Sequence, residues 1–305
     1  MPSICAIIPC YNPGIELINC LISLTVQRTQ VEQVLLIDSS PTSNLQSFLN
    51  ALSINMPRIV VKSIEPIEFD HGGTRTLGLH IIESSFSHCL LLTQDVILDE
   101  ECARSLLVYM DANNLSAVHA RQLPRKNASF IERAEREFNY PSASYTQRGD
   151  PRNMGYIPFS NACALYKTED LIKVGGFVSN TPTAEDALTA YKLLESGYGV
   201  GYCSDALVFH SHNYNLRQIF NRYFDTGACH EMFPTMIRSS NLQSKGMDLV
   251  SYMLTKSHGV RETLAIVTTS TSKFLGYHTG KHHARLPGFI KQRISSNKSF
   301  WLRKH

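Results

Sequence analysis

The sequence predicts an α/β fold in which a mostly parallel sheet is flanked by helices on both faces. Three observations predict it. Short apolar runs alternate with segments whose leucines and isoleucines recur three or four residues apart, the pattern of strands joined by crossover helices. Polar clusters follow the carboxyl ends of several runs, where open parallel sheets bind ligands. Hydrophobic residues make up 43% of the 305 and charged residues 18%, which allows a sizeable core and excludes a disordered or collagen-like chain.

The elements follow in order. Ile4–Ile8 is a buried strand ended by Pro9, and Leu17, Leu21 and Leu24 mark a helix after Pro13-Gly14. Gln33–Ile37 is a second strand, closed by the turn cluster Asp38-Ser39-Ser40-Pro41. Leu45, Leu49 and Leu52 mark a helix, and Arg58–Ile64 a third strand. Gly72–Ser85 is helical with Leu77, Ile81 and Ile82 facing inward; Cys89–Thr93 is a fourth strand, and Asp99 caps a helix through Leu106 and Leu107. The second half is less regular. Residues 122–156 read as a long functional loop with a short helix around 130–138. Ala162–Tyr166 reads as a strand and Ala184–Ser196 as a helix. Val200–Cys203 and Ala206–Phe209 are two short strands, and Leu216–Gly227 is a helix.

Charge is divided along the chain. Residues 236–305 hold 12 Lys+Arg against 2 acids, a net +10, whereas residues 1–235 hold 17 against 24, a net −7. This predicts an acidic body (1–235) and a basic, mainly helical C-terminal extension (236–305) that meets something anionic. No run approaches 18 apolar residues, and the first residues lack a signal-peptide pattern, so a cytoplasmic address is expected. The eight cysteines include no CxxC pair and lie mostly in apolar runs, as small core residues do.

Four clusters carry candidate chemistry. Asp95 follows a buried strand and is placed either to hold a divalent cation on a diphosphate or to cap a helix. Glu185-Asp186 opens a helix, where an acidic pair complements the helix dipole or supplies a general base. His210-Ser211-His212 follows a short strand; alternation would send the two imidazoles to opposite faces, so at most one is expected at a given site. In His71-Gly72-Gly73-Thr74-Arg75 the glycines would let backbone N–H groups approach phosphate oxygens, with Arg75 adding a bidentate contact.

Taken together, Ile7-Ile8-Pro9-Cys10-Tyr11-Asn12, Asp38, Gln94-Asp95 and Glu185-Asp186 resemble, in order and approximate spacing, the family-2 glycosyltransferases of the GT-A (Rossmann-like) fold over roughly residues 3–235. A narrower resemblance is to bacterial rhamnosyltransferases that use dTDP-L-rhamnose in O-antigen and related polysaccharide synthesis. It rests on Glu68-Phe69-Asp70-His71-Gly72-Gly73-Thr74-Arg75, Leu92-Thr93-Gln94-Asp95, Ser160-Asn161-Ala162-Cys163-Ala164, His210-Ser211-His212-Asn213-Tyr214 and a stretch from Phe274 to Pro287. Gln94 stands where a broader DXD motif has its first Asp, and Thr76 where this group tends to have Asn.

The resemblance implies a set of roles. Pro9, Tyr11, Asn12, Asp38, His71, Gly72, Gly73, Arg75, Gln94 and Asp95 would bind the nucleotide sugar. Asp95 with His212 or His210 would hold Mg²⁺ or Mn²⁺. Asp186, beside Glu185, would be the base of an inverting transfer, and Ser160 and Asn161 would shape the acceptor side. Acceptors in this family sit on undecaprenyl diphosphate, so the basic tail is expected at the anionic inner face of the cell membrane. A nucleotidyltransferase would need a basic, Gly-rich signature near the first strand, and Pro9–Gly14 has no basic residue. A nucleic-acid arm is disfavoured because the tail carries apolar runs and no nucleic-acid motif.

Overall fold

The computed structural model describes residues 2–42, 45, 49, 58–154, 157–236 and 242–303. A nine-stranded mixed sheet forms its centre. β1 (Ile4–Cys10), β2 (Gln33–Asp38), β3 (Arg58–Ser63) and β4 (His88–Leu92) are mutually parallel in the order β3-β2-β1-β4. The sheet continues through β8 (Cys163–Lys167), which runs antiparallel to both β4 and β6 (Ala117–Leu123). Beyond β6 lies the parallel β9 (Val200–Phe209), which also pairs with the two short strands β5 (Ile97–Leu98) and β7 (Tyr145–Gln147). One edge of the sheet therefore gathers the carboxyl ends of β1, β2, β4, β6 and β9 and the amino end of β8.

The central strands are apolar because both faces are covered. Ile4, Ala6 and Ile8 pack under α1 (Ile15–Thr25) and α3 (Cys102–Ala112). Cys5 and Ile7 face the other way, toward Leu79 and Ile82 of α2 (His71–Ile82), Leu171 of α5 (Thr168–Lys173) and Leu193 of α6 (Glu185–Glu195). All eight cysteines are buried free thiols.

Several expected details change. Pro9 does not end β1. Successive residues of a strand address opposite neighbours; Ser39 N–H donates to Cys10 O and Glu32 N–H to Ile4 O on the β2 side, while His88 N–H donates to Ser3 O on the β4 side. Pro9 thus turns its missing N–H toward β4, past the last pair there, Ile7↔Leu91. In α2 the inward residues are Leu79 and Ile82, whereas Ile81 is exposed, since Gly78 at the sheet-facing position packs on Ile7 and Ile37. Asp99 accepts from Glu101 N–H, one residue ahead of α3. The two short strands expected after Gly199 are one strand, its register shifted at Ala120/Arg121. Leu45 and Leu49 are helical and buried; Leu52 lies outside the described residues. The stretch 122–156 holds α4 (Phe130–Asn139), β7 and a 3-10 turn at Pro151–Asn153.

The basic extension lies against the body. α7 (Leu216–Met232) is crossed by α9 (Val260–Lys281) so closely that a Cβ on Gly280 would stand 2.0 Å from Phe224 O, and one on Gly227 2.1 Å from Tyr277 O. Phe224 joins Phe300 and Trp301 of α11 (Lys298–Arg303), which follows α10 (Gly288–Ile294). The buried Asp225 carboxylate accepts from Ser295 Oγ (2.7 Å), Ser296 N–H (2.7 Å) and Asn297 N–H (3.2 Å). α8 (Leu242–Lys256) and α9 meet α4 through Met253, Ile266 and Ala134. No helix among the described residues is long and apolar enough to cross a membrane.

Because nothing but glycine fits the α7–α9 crossing, Gly280→Ala is expected to lower unfolding free energy by at least about 2 kcal/mol. Gly246→Ala, on α8 with open space around its Cβ position, is expected to gain about 0.5–1 kcal/mol. Urea denaturation of the two variants checks both; equal stabilities would remove the close crossing.

Candidate functional site

Three side chains converge where β4 and β9 end. Asp95 Oδ2 lies 3.4 Å from His210 Nε2 and 3.5 Å from His212 Nε2. The three ligand atoms all lie within 4.8 Å of one another. Both histidines reach Asp95, contrary to the alternation expected from a continued strand. β9 ends at Phe209, and the backbone then turns, with Tyr214 N–H donating to His212 O, so period-two alternation no longer applies. His212 stacks on Tyr214, whose hydroxyl accepts from Arg222 of α7.

Burial alone would raise the Asp95 carboxyl, but the facing His210 and His212 rings, with the Thr93 side chain, outweigh it and hold the group well below the usual carboxylate range. Burial lowers both imidazoles, His212 to about 4. An anionic carboxylate beside two neutral imidazoles is a donor set that suits a divalent cation. The buried Nε2 of His210 has no hydrogen-bond partner, so Mg²⁺ or Mn²⁺ fits the residues present.

Gln94 is not aimed at that cluster. Its Oε1 accepts from Tyr11 N–H (2.9 Å) and its Nε2 donates to Tyr11 O (3.1 Å), which ties the β4 end to the β1 loop. Asn12, at φ 42°, donates its N–H to Ser40 Oγ (2.8 Å). Ser40 Oγ in turn donates to the buried Asp38 Oδ1 (2.5 Å). Tyr11 and Asn12 stand exposed at the rim beyond Pro9.

The amino end of α2 departs from the phosphate-cradle expectation. Gly73 N–H donates to Asp70 Oδ1 (2.8 Å), so a carboxylate of the chain already occupies that helix end. A Cβ on Gly72 would stand 1.9 Å from Val178 O, which makes Gly72 a close-packing residue. Arg75 is buried and its Nη1 faces Glu185 Oε1 at 3.1 Å and donates to His71 O, so that end of its guanidinium is taken up inside the protein, while its buried Nε has no partner among the described residues. Thr76 Oγ1 accepts from Phe177 N–H (2.9 Å). His71 packs edge-on against Phe69.

Glu185 and Asp186 are pulled apart electrostatically. Burial would raise Glu185, but Arg75 and His71 outweigh it and keep it ionised. At Asp186 the balance is reversed: burial and the neighbouring Glu185 charge outweigh its backbone hydrogen bonds and the more weakly felt Arg75, and push its carboxyl up to about 7. It accepts from Ala187 N–H (2.8 Å) and Asn161 N–H (3.3 Å). Two adjacent acids with opposite shifts are what a division into structural anion and general base requires. Asn161 is buried where β8 begins, and its Oδ1 accepts from Tyr166 Oη (2.6 Å). Ser160 Oγ accepts from Gln122 Nε2 (2.8 Å). Sequence reasoning misses Gln122, Arg136 and Arg222, and no local signal marks any of them.

Residues 5–175 match the family described as Glycosyl transferase family 2. The chain belongs to that family. As a glycosyltransferase it is similar, at 36% identity over 310 residues, to the O-antigen chain rhamnosyltransferase WbaN of Salmonella anatum, spanning 99% of this chain and 96% of that protein. It is 34% identical over 304 residues to the O-antigen chain rhamnosyltransferase RfbN of Salmonella typhimurium, over 97% and 95% of the two chains. Among solved structures, the mannosyltransferase PcManGT from Pyrobaculum calidifontis in complex with GDP-Man and Mn²⁺ matches with TM-score 0.62 at 14% identity, over 92% of this chain and 86% of that one. S. aureus TarS 1-349 in complex with UDP-GlcNAc matches with TM-score 0.53 at 13% identity, over 93% and 91%. These two show the GT-A fold of the glycosyltransferase.

The Asp186 shift has a consequence for stability. Its folded pKa of about 7 lies above the ordinary value of about 3.9. The folded state therefore binds the proton more tightly, and the enzyme loses stability as pH rises from about 4 to 7, with no further loss above. Asp186→Asn removes this loss. Its stability relative to wild type is expected to climb across that window, by at most about 4 kcal/mol. Urea unfolding at several pH values checks this, and a difference independent of pH would contradict it.

Proposed function

We propose that this glycosyltransferase moves L-rhamnose from dTDP-L-rhamnose to a hydroxyl of a saccharide carried on undecaprenyl diphosphate, in O-antigen or related surface-polysaccharide synthesis, with inversion at the anomeric carbon. One observation carries the chemistry. Glu185 is held ionised in a pair with Arg75, and Asp186 is the acid with a pKa near working pH at the edge that holds Asp95, His210 and His212. The sugar is supported by the near-full-length similarity to two O-antigen chain rhamnosyltransferases.

In this reading Asp186 takes the proton of the acceptor hydroxyl as its oxygen attacks the anomeric carbon, and dTDP leaves from the opposite face. Asn161 N–H and Ala187 N–H fix the carboxylate for that transfer. Asp95, His210 and His212 would hold Mg²⁺ or Mn²⁺, which would supply positive charge against the diphosphate. Tyr11 and Asn12, braced by Gln94 and by Ser40–Asp38, form the nucleotide side.

The basic extension is the membrane-facing part, at the inner face of the cell membrane. Val260, Leu264, Val267, Phe274 and Leu275 are exposed on α9, and their spacing sets them on one uncharged helix face. The +10 net charge of residues 236–305 suits an anionic leaflet. Two copies of the extension would repel each other. Truncation would strip Asp225 and Phe224 of their partners, so substitutions on the exposed face are the better probe. Leu264→Glu with Val267→Glu is expected to cut cosedimentation with phosphatidylglycerol vesicles by at least about tenfold, with turnover on a soluble acceptor unchanged. Unaltered sedimentation would refute the membrane face.

Asp186→Asn is expected to lower kcat by about 10²–10⁴ with dTDP-rhamnose and a lipid-linked acceptor, while donor affinity stays within about threefold. A β-linked donor should give an α-linked product by NMR. Undiminished turnover in the variant, or retained configuration in the product, would sink the mechanism.

A further inference from the structure

The cluster of Asp95, His210 and His212 is backed by a buried amide that the mechanism above does not use. Gln122, two residues beyond the β6–β9 register shift, is 2% exposed. Its Oε1 accepts from Arg136 Nη1 and lies 2.9 Å from His210 Nδ1. Its Nε2 donates to Ser160 Oγ at 2.8 Å. A guanidinium has donors only, so the atom it meets is the amide oxygen. An oxygen facing Nδ1 requires that Nδ1 carry the proton. With its single proton on Nδ1, the ring turns a lone pair from Nε2 toward Asp95 Oδ2, 3.4 Å away. Two acceptors facing each other with no proton between them repel unless a cation joins them.

We propose that Gln122 is a positioning residue for His210: held by Arg136, it fixes the ring as the Nδ1–H tautomer and so presents Nε2 to a divalent cation. The same amide braces the base. Ser160, which accepts its N–H, precedes Asn161, whose own N–H donates to Asp186 Oδ2. One side chain thus stands between the cation ligands and the mount of the general base. Arg136 is fixed in turn by Glu132 Oε1 at 2.9 Å and lies over the Tyr140 ring. The inference rests on reading the cluster as a cation site, and its test separates the two.

Mn²⁺ binding, followed by the EPR signal of free Mn²⁺, is measured for wild type, Gln122→Leu and Gln122→Glu. Removal of a partner that orients a ligating histidine costs about 10–100-fold in affinity, so Gln122→Leu should bind Mn²⁺ at least tenfold more weakly. Gln122→Glu keeps an acceptor for both His210 and Arg136 and should stay within about threefold of wild type. Equal affinity in Gln122→Leu, or a loss in Gln122→Glu as large as in Gln122→Leu, would overturn the proposal. Long-range ¹H–¹⁵N correlation of His210 in the metal-free wild-type protein at pH 8 needs no variant to fold. A proton on Nδ1 supports the assignment, and a proton on Nε2 overturns it. Failure of wild type to bind Mn²⁺ would remove the cation reading, and the tautomer measurement would still decide the role of Gln122.

Discussion

The buried ion pair between Arg75 and Glu185 is the interaction on which the site depends. It joins α2, which lies between β3 and β4, to α6, which lies between α5 and β9, and so couples the two halves of the sheet. Desolvating two charges is tolerable only when they meet each other and further polar groups; Arg75 meets Glu185 and the His71 carbonyl. Its effect on chemistry is indirect. Burial raises the Asp186 carboxyl toward neutral pH and the charge of Glu185 adds to it, whereas Arg75, which sits on Glu185, holds that neighbour down.

The amino end of α2 is a junction for the same reason. Asp70 caps the helix, accepts from Asn180 N–H and pairs with Arg303 at 2.9 Å, so the last helix of the chain is anchored beside the Arg75–Glu185 pair. α4 makes a second junction. Its Glu135 pairs with Lys273 and its Glu137 accepts from Tyr252 Oη, while its Arg136 reaches Gln122. The helices bearing the exposed apolar face and the residues around His210 are therefore linked by one short helix.

Much of the fold was legible because each parallel strand is apolar along its length and each covering helix repeats its leucines with helical spacing. Asp95, Asp186 and Asp38 could be picked out because each follows or begins such an element. The misreadings share a cause. At Pro9, Gly72, Gly73 and Arg75 local habit misleads: proline ends strands, glycines cradle phosphates, arginine meets anions. Here the partner lies far along the chain: past the end of β4 for Pro9, Val178 for Gly72, Glu185 for Arg75. Gly73 lost its assumed role to a nearer residue, Asp70, whose side chain caps the helix. Gln122 was invisible because nothing near it in sequence signals a buried amide.

By itself, the sequence determined the alternation of strands and helices, the edge at which polar clusters collect and the uneven distribution of net charge along the chain. These depend on periodicity and net charge, which are sums over neighbouring residues. Only the tertiary structure decided which acid is free, that both histidines reach Asp95, and that the extension packs against the body through Gly227 and Gly280. Those depend on distances between residues tens to hundreds of positions apart, and electrostatics and close packing act through distance alone.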